Sequence, residues 1–192
     1  TFAIVGSTTD GFFFAVLDDL GAVTSSAFYS YPSGAYSPSK PVIAVSPVVT
    51  NPTFYVAGSY VGTTGERTMF VMELTSAGTV VNSQAYNFLS PPSQYYANVH
   101  GYVMLPKDII YSSSTNPITS LNELVIVGDL NEYNLVGGPA PTNNPHQNAF
   151  LLRLNPSNLN PVKGYGYLSN WSYTNFNGLN SIDQDANGDF II

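Results

Sequence analysis

The chain contains no cysteine. That excludes disulfides, thiolate metal centres and cysteine nucleophiles, and it leaves cysteine usage silent about the redox compartment. Charge is scarce too. Charged residues make up 9% of the sequence, against roughly a quarter in an average soluble domain. Lys and Arg number 5 against 12 Asp and Glu, for a net charge of -7. So few cations cannot neutralise a phosphate backbone or an anionic lipid surface, and nucleic acid is excluded as an expected partner. No run of about 18 apolar residues occurs, so no membrane span is expected. Long helices are disfavoured as well, because 14 Pro and 16 Gly interrupt the chain and no stretch keeps a long 3.6-residue apolar period. Catalytic signatures are equally absent. His100 and His146 stand far apart with no His-x-x-His spacing, and neither a Gly-x-Ser-x-Gly elbow nor a phosphate-binding Gly-Lys-Ser/Thr loop is present. The adjacent carboxylates Asp18 and Asp19 fall where a turn wants Asp for its side-chain to backbone bond. The chain is not expected to be an enzyme.

What the sequence does contain is a repeat. The apolar tetrad Phe2-Ala3-Ile4-Val5, closed by Gly6, recurs as Phe54-Tyr55-Val56-Ala57 closed by Gly58 and as Leu124-Val125-Ile126-Val127 closed by Gly128. A Phe-x-x-x-Leu segment follows each copy: Phe13 to Leu17, Phe70 to Leu74 and Phe150 to Leu154. After it comes a polar turn and then an aromatic, Tyr29, Tyr86 or Tyr165. A unit of this length cannot bury its own apolar face and must stack on its neighbours. The β-branched and aromatic enrichment and the segment lengths predict short strands. The Leu-(Asp/Thr)-x-x-Gly-x-Val turn predicts a hairpin with Gly21 or Gly78 at positive φ, and Asn158 in that role in the third copy. A further strand is expected before each tetrad, over Pro41 to Val48, Asn98 to Leu105 and Gly178 to Asp183. The reading is therefore all-β, with four-stranded antiparallel, propeller-like blades in about three repeats.

Repeats start near Thr1, Thr53 and Glu123, with a truncated fourth at Asp189, inside a single segment spanning residues 1–192. The segment is expected to belong to a larger propeller. Phe13, Phe70, Phe150, Leu17, Leu74 and Leu154 are expected to be buried at equivalent positions. The loop after each tetrad lengthens along the chain, which marks Tyr60 to Arg67 and Asn131 to Gln147 as one decorated face.

In these motifs the chain resembles the SBBP-type β-propeller repeats of large bacterial secreted or cell-surface proteins. Their units run as an apolar strand ending in Gly, a loop, a Phe-x-x-x-Leu strand, an Asp/Asn-x-x-Gly turn and a final aromatic. The resemblance covers nearly the whole chain, and its motifs are specific for architecture rather than chemistry. It implies a secreted or surface location and a role in adhesion or surface assembly. The chain departs from the pattern in its irregular repeat lengths and in a third turn without Gly.

Two sets of candidate site residues follow. Asp183, Asp185, Asn187 and Asp189 have the spacing by which alternate oxygens wrap a hard cation such as Ca2+. The later bidentate carboxylate of such a loop is missing, and Asn187-Gly188 also reads as a plain hairpin turn. Apart from that ion no cofactor is expected. Among the 14 Tyr and one Trp, the loop aromatics Tyr95, Tyr96, Tyr133, Trp171 and Tyr173 are the candidate platforms for sugar stacking or protein docking, while strand tyrosines are expected to fill space between blades. Asn170-Trp171-Ser172 also fits a glycosylation sequon. The expected function is a non-enzymatic extracellular or cell-surface binding or adhesion module. Its partners would be protein or carbohydrate, and the remaining blades or a neighbouring subunit. The alternatives are a structural subunit of a surface filament or appendage, and a propeller lectin or sugar-acting enzyme.

Overall fold

The computed structural model describes residues 2–37, 39–48, 50–63, 67–86, 88–89, 100–112, 122–134, 147–167, 179–185 and 187–192. These residues are all-β, without a helix. The first sheet is β1 (Phe2–Ser7), β2 (Gly11–Leu17) and β3 (Val23–Ser30), in that order. The second is β4 (Val42–Val45), β5 (Phe54–Val61), β6 (Arg67–Leu74) and β7 (Val80–Tyr86), again in chain order. The third adds β8 (Phe88–Leu89) outside β9 (His100–Tyr111), followed by β10 (Leu124–Asn134), β11 (Gln147–Leu154) and β12 (Pro161–Tyr167). A terminal hairpin pairs β13 (Asp183–Gln184) with β14 (Phe190–Ile191). Every pairing is antiparallel between neighbours.

The register explains the repeated motif. Gly6 lies opposite Phe13, Gly58 opposite Phe70 and Gly128 opposite Phe150. The Phe ring lies over the glycine, so that a Cβ would come within 2.3, 2.5 and 2.9 Å of the ring, respectively. Tetrad glycine and following Phe are thus one cross-strand pair in which the missing side chain makes room for the ring. At Gly128 the neighbouring strand also shifts register, and a Cβ would meet the Leu105 carbonyl oxygen at 2.1 Å.

Because side chains alternate across a strand, each tetrad serves two interfaces. Phe54, Val56, Phe70 and Leu74 face the first sheet, where they pack on Phe12, Phe14 and Val16. Their neighbours Tyr55, Ala57, Met69 and Val71 face the third sheet and pack on Leu124, Ile126, Phe150 and Leu152. The other face of the third sheet, Val125, Val127 and Leu151, covers Ile182 and Phe190 of the terminal hairpin. Equivalent positions therefore meet the preceding sheet in the second and third copies, and the core is three stacked interfaces.

In the first sheet the same positions have no preceding sheet among the described residues. Phe2 is 64% exposed, Ile4 45% and Phe13 39%. Four of the six positions expected to be buried are so, namely Phe70, Leu74, Phe150 and Leu154. Phe13 is exposed and Leu17 only half-buried, because burial here comes from the neighbouring sheet and not from the strand itself.

The turns after the Phe-x-x-x-Leu strands share one design. The amide of Asp18 bonds the Ala22 carbonyl and the Gly21 amide the Asp18 carbonyl, and the Thr75, Gly78 and Thr79 backbone repeats both bonds. Gly21 and Gly78 take φ of 81° and 78°. In the third copy the turn is one residue longer, closing from Asn155 to Asn160, and the left-handed residue is Leu159 (φ 58°) rather than Asn158. Leu159 is fully buried between the second and third sheets, so apolar burial outweighs the backbone strain of about 1–2 kcal/mol. Across the interface, the Tyr29 hydroxyl donates to the Gly78 carbonyl, and the Tyr86 hydroxyl donates to the Leu159 carbonyl. The closing aromatic of one unit thereby bonds the left-handed residue of the next unit's turn.

The expected leading strands over Pro41 to Val48 and Asn98 to Leu105 correspond to β4 and β9, whereas β13 is Asp183–Gln184 and shares only Asp183 with the strand expected over Gly178 to Asp183. In the third sheet, however, the residues facing the tetrad are Asp108 to Tyr111, and the earlier part of β9 pairs with the extension of β10 past Gly128.

Candidate functional site

The acidic loop forms a turn. Its segment takes the position of the connection into the tetrad strand, since Gln184 pairs with Phe190 as Val45 pairs with Phe54 and Tyr111 with Leu124. Asp185 Oδ1 accepts the Asn187 amide at 2.8 Å and the Asp189 amide at 2.9 Å, while Asn187 Nδ2 donates to Oδ2 at 3.3 Å. Those amides hold the Asp185 carboxyl below its ordinary pKa, the Asp189 amide most of all. Asp183 Oδ1 accepts the Gln184 amide at 2.8 Å. Gly188 takes positive φ, at 89°, and Asn187 does not, so Asn187-Gly188 is not the central pair of a type I′ turn; the Gly188 amide donates to the Asp185 carbonyl at 3.0 Å. Among the described residues no three His, Asp or Glu side chains converge as a metal-holding group. Asp185 Oδ1 is taken by backbone amides of its own turn and Oδ2 by the Asn187 side-chain amide.

Of the aromatic candidates, Tyr95, Tyr96, Trp171 and Tyr173 lie outside the described residues. Tyr133 lies on β10, where its backbone pairs with Gly101. His146 and residues 135–146 of the longest loop are outside them too.

The structure instead brings together aromatics that the sequence had assigned to packing between strands. In an antiparallel up-and-down sheet, the loop after the tetrad strand and the link to the next sheet leave from one end. At that end, between the first and second sheets, lies an open cleft of about 210 Å³. Phe12, Tyr29 and Tyr31 line it from the first sheet, and Tyr60, Phe70 and Met72 from the second. Phe12 stacks on Tyr29 with ring centroids 4.8 Å apart and on Phe70 at 5.4 Å, and Tyr31 stacks on Tyr60 at 5.9 Å. Ser83 and Gln84 of β7 supply hydrogen-bonding groups at its edge. No residue lining the cleft is charged.

Tyr31 is the unusual member. It is 8% exposed, and among the described residues its hydroxyl is the buried side-chain oxygen without a hydrogen-bond partner. Burial raises its pKa, a rise that nearby Ser37 partly offsets. Ser37 nevertheless directs its hydroxyl at the Ser59 carbonyl, 2.8 Å away, and makes no well-formed bond to the phenol. Tyr29 also has a raised pKa through burial. The usable sequence signal was the pairing of Tyr29 and Tyr31 at the strand end with Tyr60 two residues after the tetrad glycine.

Two carboxylates are ion-paired among the described residues. Glu123 is buried, and its Oε2 accepts Arg153 Nε at 2.5 Å; Lys107 pairs with Asp129 at 3.2 Å. No protein-family model matches the chain, and no curated protein matches its sequence. What the fold defines is an all-β repeat protein of stacked antiparallel sheets. No helix among the described residues is long and apolar enough to cross a membrane.

Proposed function

We propose that the chain is a non-enzymatic binding module of the surface-adhesion kind, built as blades of a β-propeller, as its resemblance to SBBP-type repeats implies. The carrying observation is the division of labour in each unit. The Gly/Phe cross-strand pairs recur in all three sheets, while the loops leaving one end of the sheets vary from residues 8–10 to 62–66 to 135–146. A constant core with variable loops is the arrangement of a recognition scaffold. Neutral polar side chains and aromatics on that end support binding of protein or carbohydrate by hydrogen bonds and ring contacts. Secretion or surface display is part of the same reading. The test is binding of the purified chain to glycan and extracellular-protein arrays. Saturable binding that Tyr133→Ala or Trp171→Ala removes supports the loop face, and an inert chain contradicts the reading.

A second reading is favoured by a different observation. The exposed Phe2, Ile4, Phe13 and Phe28 occupy one face of the first sheet, the face that the preceding sheet covers in the other copies. A structural subunit of a filament or appendage, or a propeller with further blades, would bury it. Concentration-dependent association abolished by Ile4→Ser with Phe13→Ser favours that reading.

A further inference from the structure

We propose that the open edge of β1 takes up an extended segment of a partner protein as an added antiparallel strand, whose alternate apolar side chains fill the cleft beside it. This deepens the reading in which a neighbour covers the first sheet, and it names the contact. Three observations converge. First, the tetrad strands of the second and third sheets carry a leading strand, β4 on β5 and β9 on β10, whereas β1 pairs only with β2 among the described residues. The Thr8 amide donates to the Gly11 carbonyl at 2.8 Å. By alternation Gly6 and Ile4 bond β2, while the amides and carbonyls of Ala3 and Val5 point outward. Their equivalents Tyr55 and Ala57 bond Ala44 and Val42 of β4, in the alternation set by the Ser46 amide on the Thr53 carbonyl at 2.8 Å. Second, the side chains that such a strand covers are left bare. Val42 and Ala44 of β4 pack with Ile109 and Tyr111 of β9, and Ile109 is 3% exposed. In β4 the places of Ile109 and Tyr111 are taken by Ile43 and Val45; Ile43 is only half-buried and Val45 is 52% exposed. Third, beside them lies an open cleft of about 300 Å³ lined by Ala3, Ile43, Ala44, Val45, Pro52 and Phe54, all apolar. A strand added to β1 in the register of β4 on β5 turns its equivalents of Val42 and Ala44 into that cleft. An unpaired edge is a template for another strand, and the cleft selects small or branched apolar residues at every second position. A lone strand fits there better than a whole sheet, since β4 is itself the outermost strand of its sheet.

The probe is a synthetic peptide of residues 40–46, the sequence of β4 with its flanks, titrated into the intact nitrogen-15-labelled chain while amide hydrogen exchange is followed. Saturable binding is expected. With free peptide at about ten times its Kd, exchange at Ala3 and Val5 should slow about tenfold, while Ile4, already bonded to β2, changes little. The same peptide with Ala44→Pro lacks the amide that faces Ala3 and should bind about tenfold more weakly, the loss of one hydrogen bond. Val45→Asp in the chain, at an exposed position, should weaken binding of the unmodified peptide by a similar factor. No slowing at Ala3 and Val5, equal binding of the proline peptide, or unchanged affinity in Val45→Asp overturns the proposal. Slowing that grows with chain concentration in the absence of peptide assigns the edge to a second copy and overturns it as well. The reading it deepens fails separately. Association that Ile4→Ser with Phe13→Ser abolishes, in a chain inert to the peptide, keeps the covered face and sinks the added strand, whereas peptide uptake by a chain that stays monomeric keeps the strand alone.

Discussion

Tyr86→Phe removes one oxygen and tests the link between successive units. The Tyr86 hydroxyl donates to the Leu159 carbonyl across the interface of the second and third sheets. Tyr86 is 9% exposed and Leu159 fully buried, so water cannot replace the lost donor. The substitution forfeits a bond and leaves a buried carbonyl unsatisfied, a loss of about 1–3 kcal/mol. In a chain of this size the melting midpoint falls about 2–4 °C for each kcal/mol. Burial also raises the Tyr86 pKa above its ordinary 10.0. The raised value means that the unfolded chain gives up this proton first as pH rises. Stability from this group is therefore complete below pH 10 and is lost progressively above it. Chemical denaturation at neutral pH and at increasing alkaline pH measures both effects. The wild type should lose stability above pH 10, and Tyr86→Phe should start lower and lose less over the same range. Tyr29→Phe, whose bond to Gly78 is only partly buried, should cost less than Tyr86→Phe. A Tyr86→Phe chain as stable as wild type, with the same alkaline loss, would refute the link.

Other expectations follow from the same geometry. Leu159→Gly relieves the left-handed backbone but deletes a fully buried side chain; by chemical denaturation it should destabilise by about 1–4 kcal/mol, cavity loss outweighing strain relief. Gly58→Ala should be tolerated better than Gly128→Ala, because at Gly58 a Cβ meets the far edge of the Phe70 ring, a side chain, while at Gly128 it meets the Leu105 backbone oxygen at 2.1 Å; thermal melts of the two variants decide the order. Glu123→Gln leaves the half-buried Arg153 facing a neutral partner, and its midpoint in denaturant should fall by an amount corresponding to roughly 1–3 kcal/mol.

The architecture was legible because the repeat carries it in strand and turn positions. The Gly and Phe of each motif are opposite one another in the ladder, so their joint recurrence recorded a tertiary pairing. Alternation in the tetrads recorded two buried faces. What could not be read was which neighbour covers each face, and Phe13 shows the limit: it matches Phe70 and Phe150 in sequence, yet it is exposed for want of a covering sheet among the described residues. Leu159 shows another. Sequence preference points to Asn for a left-handed residue, but burial between two sheets favours an apolar side chain there. The aromatic cleft escaped notice for a related reason. Tyr31 and Tyr60 are remote in sequence and meet only when two sheets stack, and nothing local distinguishes a strand-end tyrosine that fills space from one that lines an opening. In the acidic segment the Asn187 and Asp189 amides bond Asp185 Oδ1, the local turn bonding that the Asn187-Gly188 signal recorded.

The central claim is that successive sheets stack through equivalent faces. Nuclear Overhauser contacts between selectively labelled aromatic rings test it most directly. The account predicts contacts between Phe14 and Phe54 and between Phe12 and Phe70, whose centroids are 5.3 and 5.4 Å apart, and between Tyr55 and Tyr111 at 5.9 Å. Strand ladders intact within each sheet, with these three contacts missing, would contradict it.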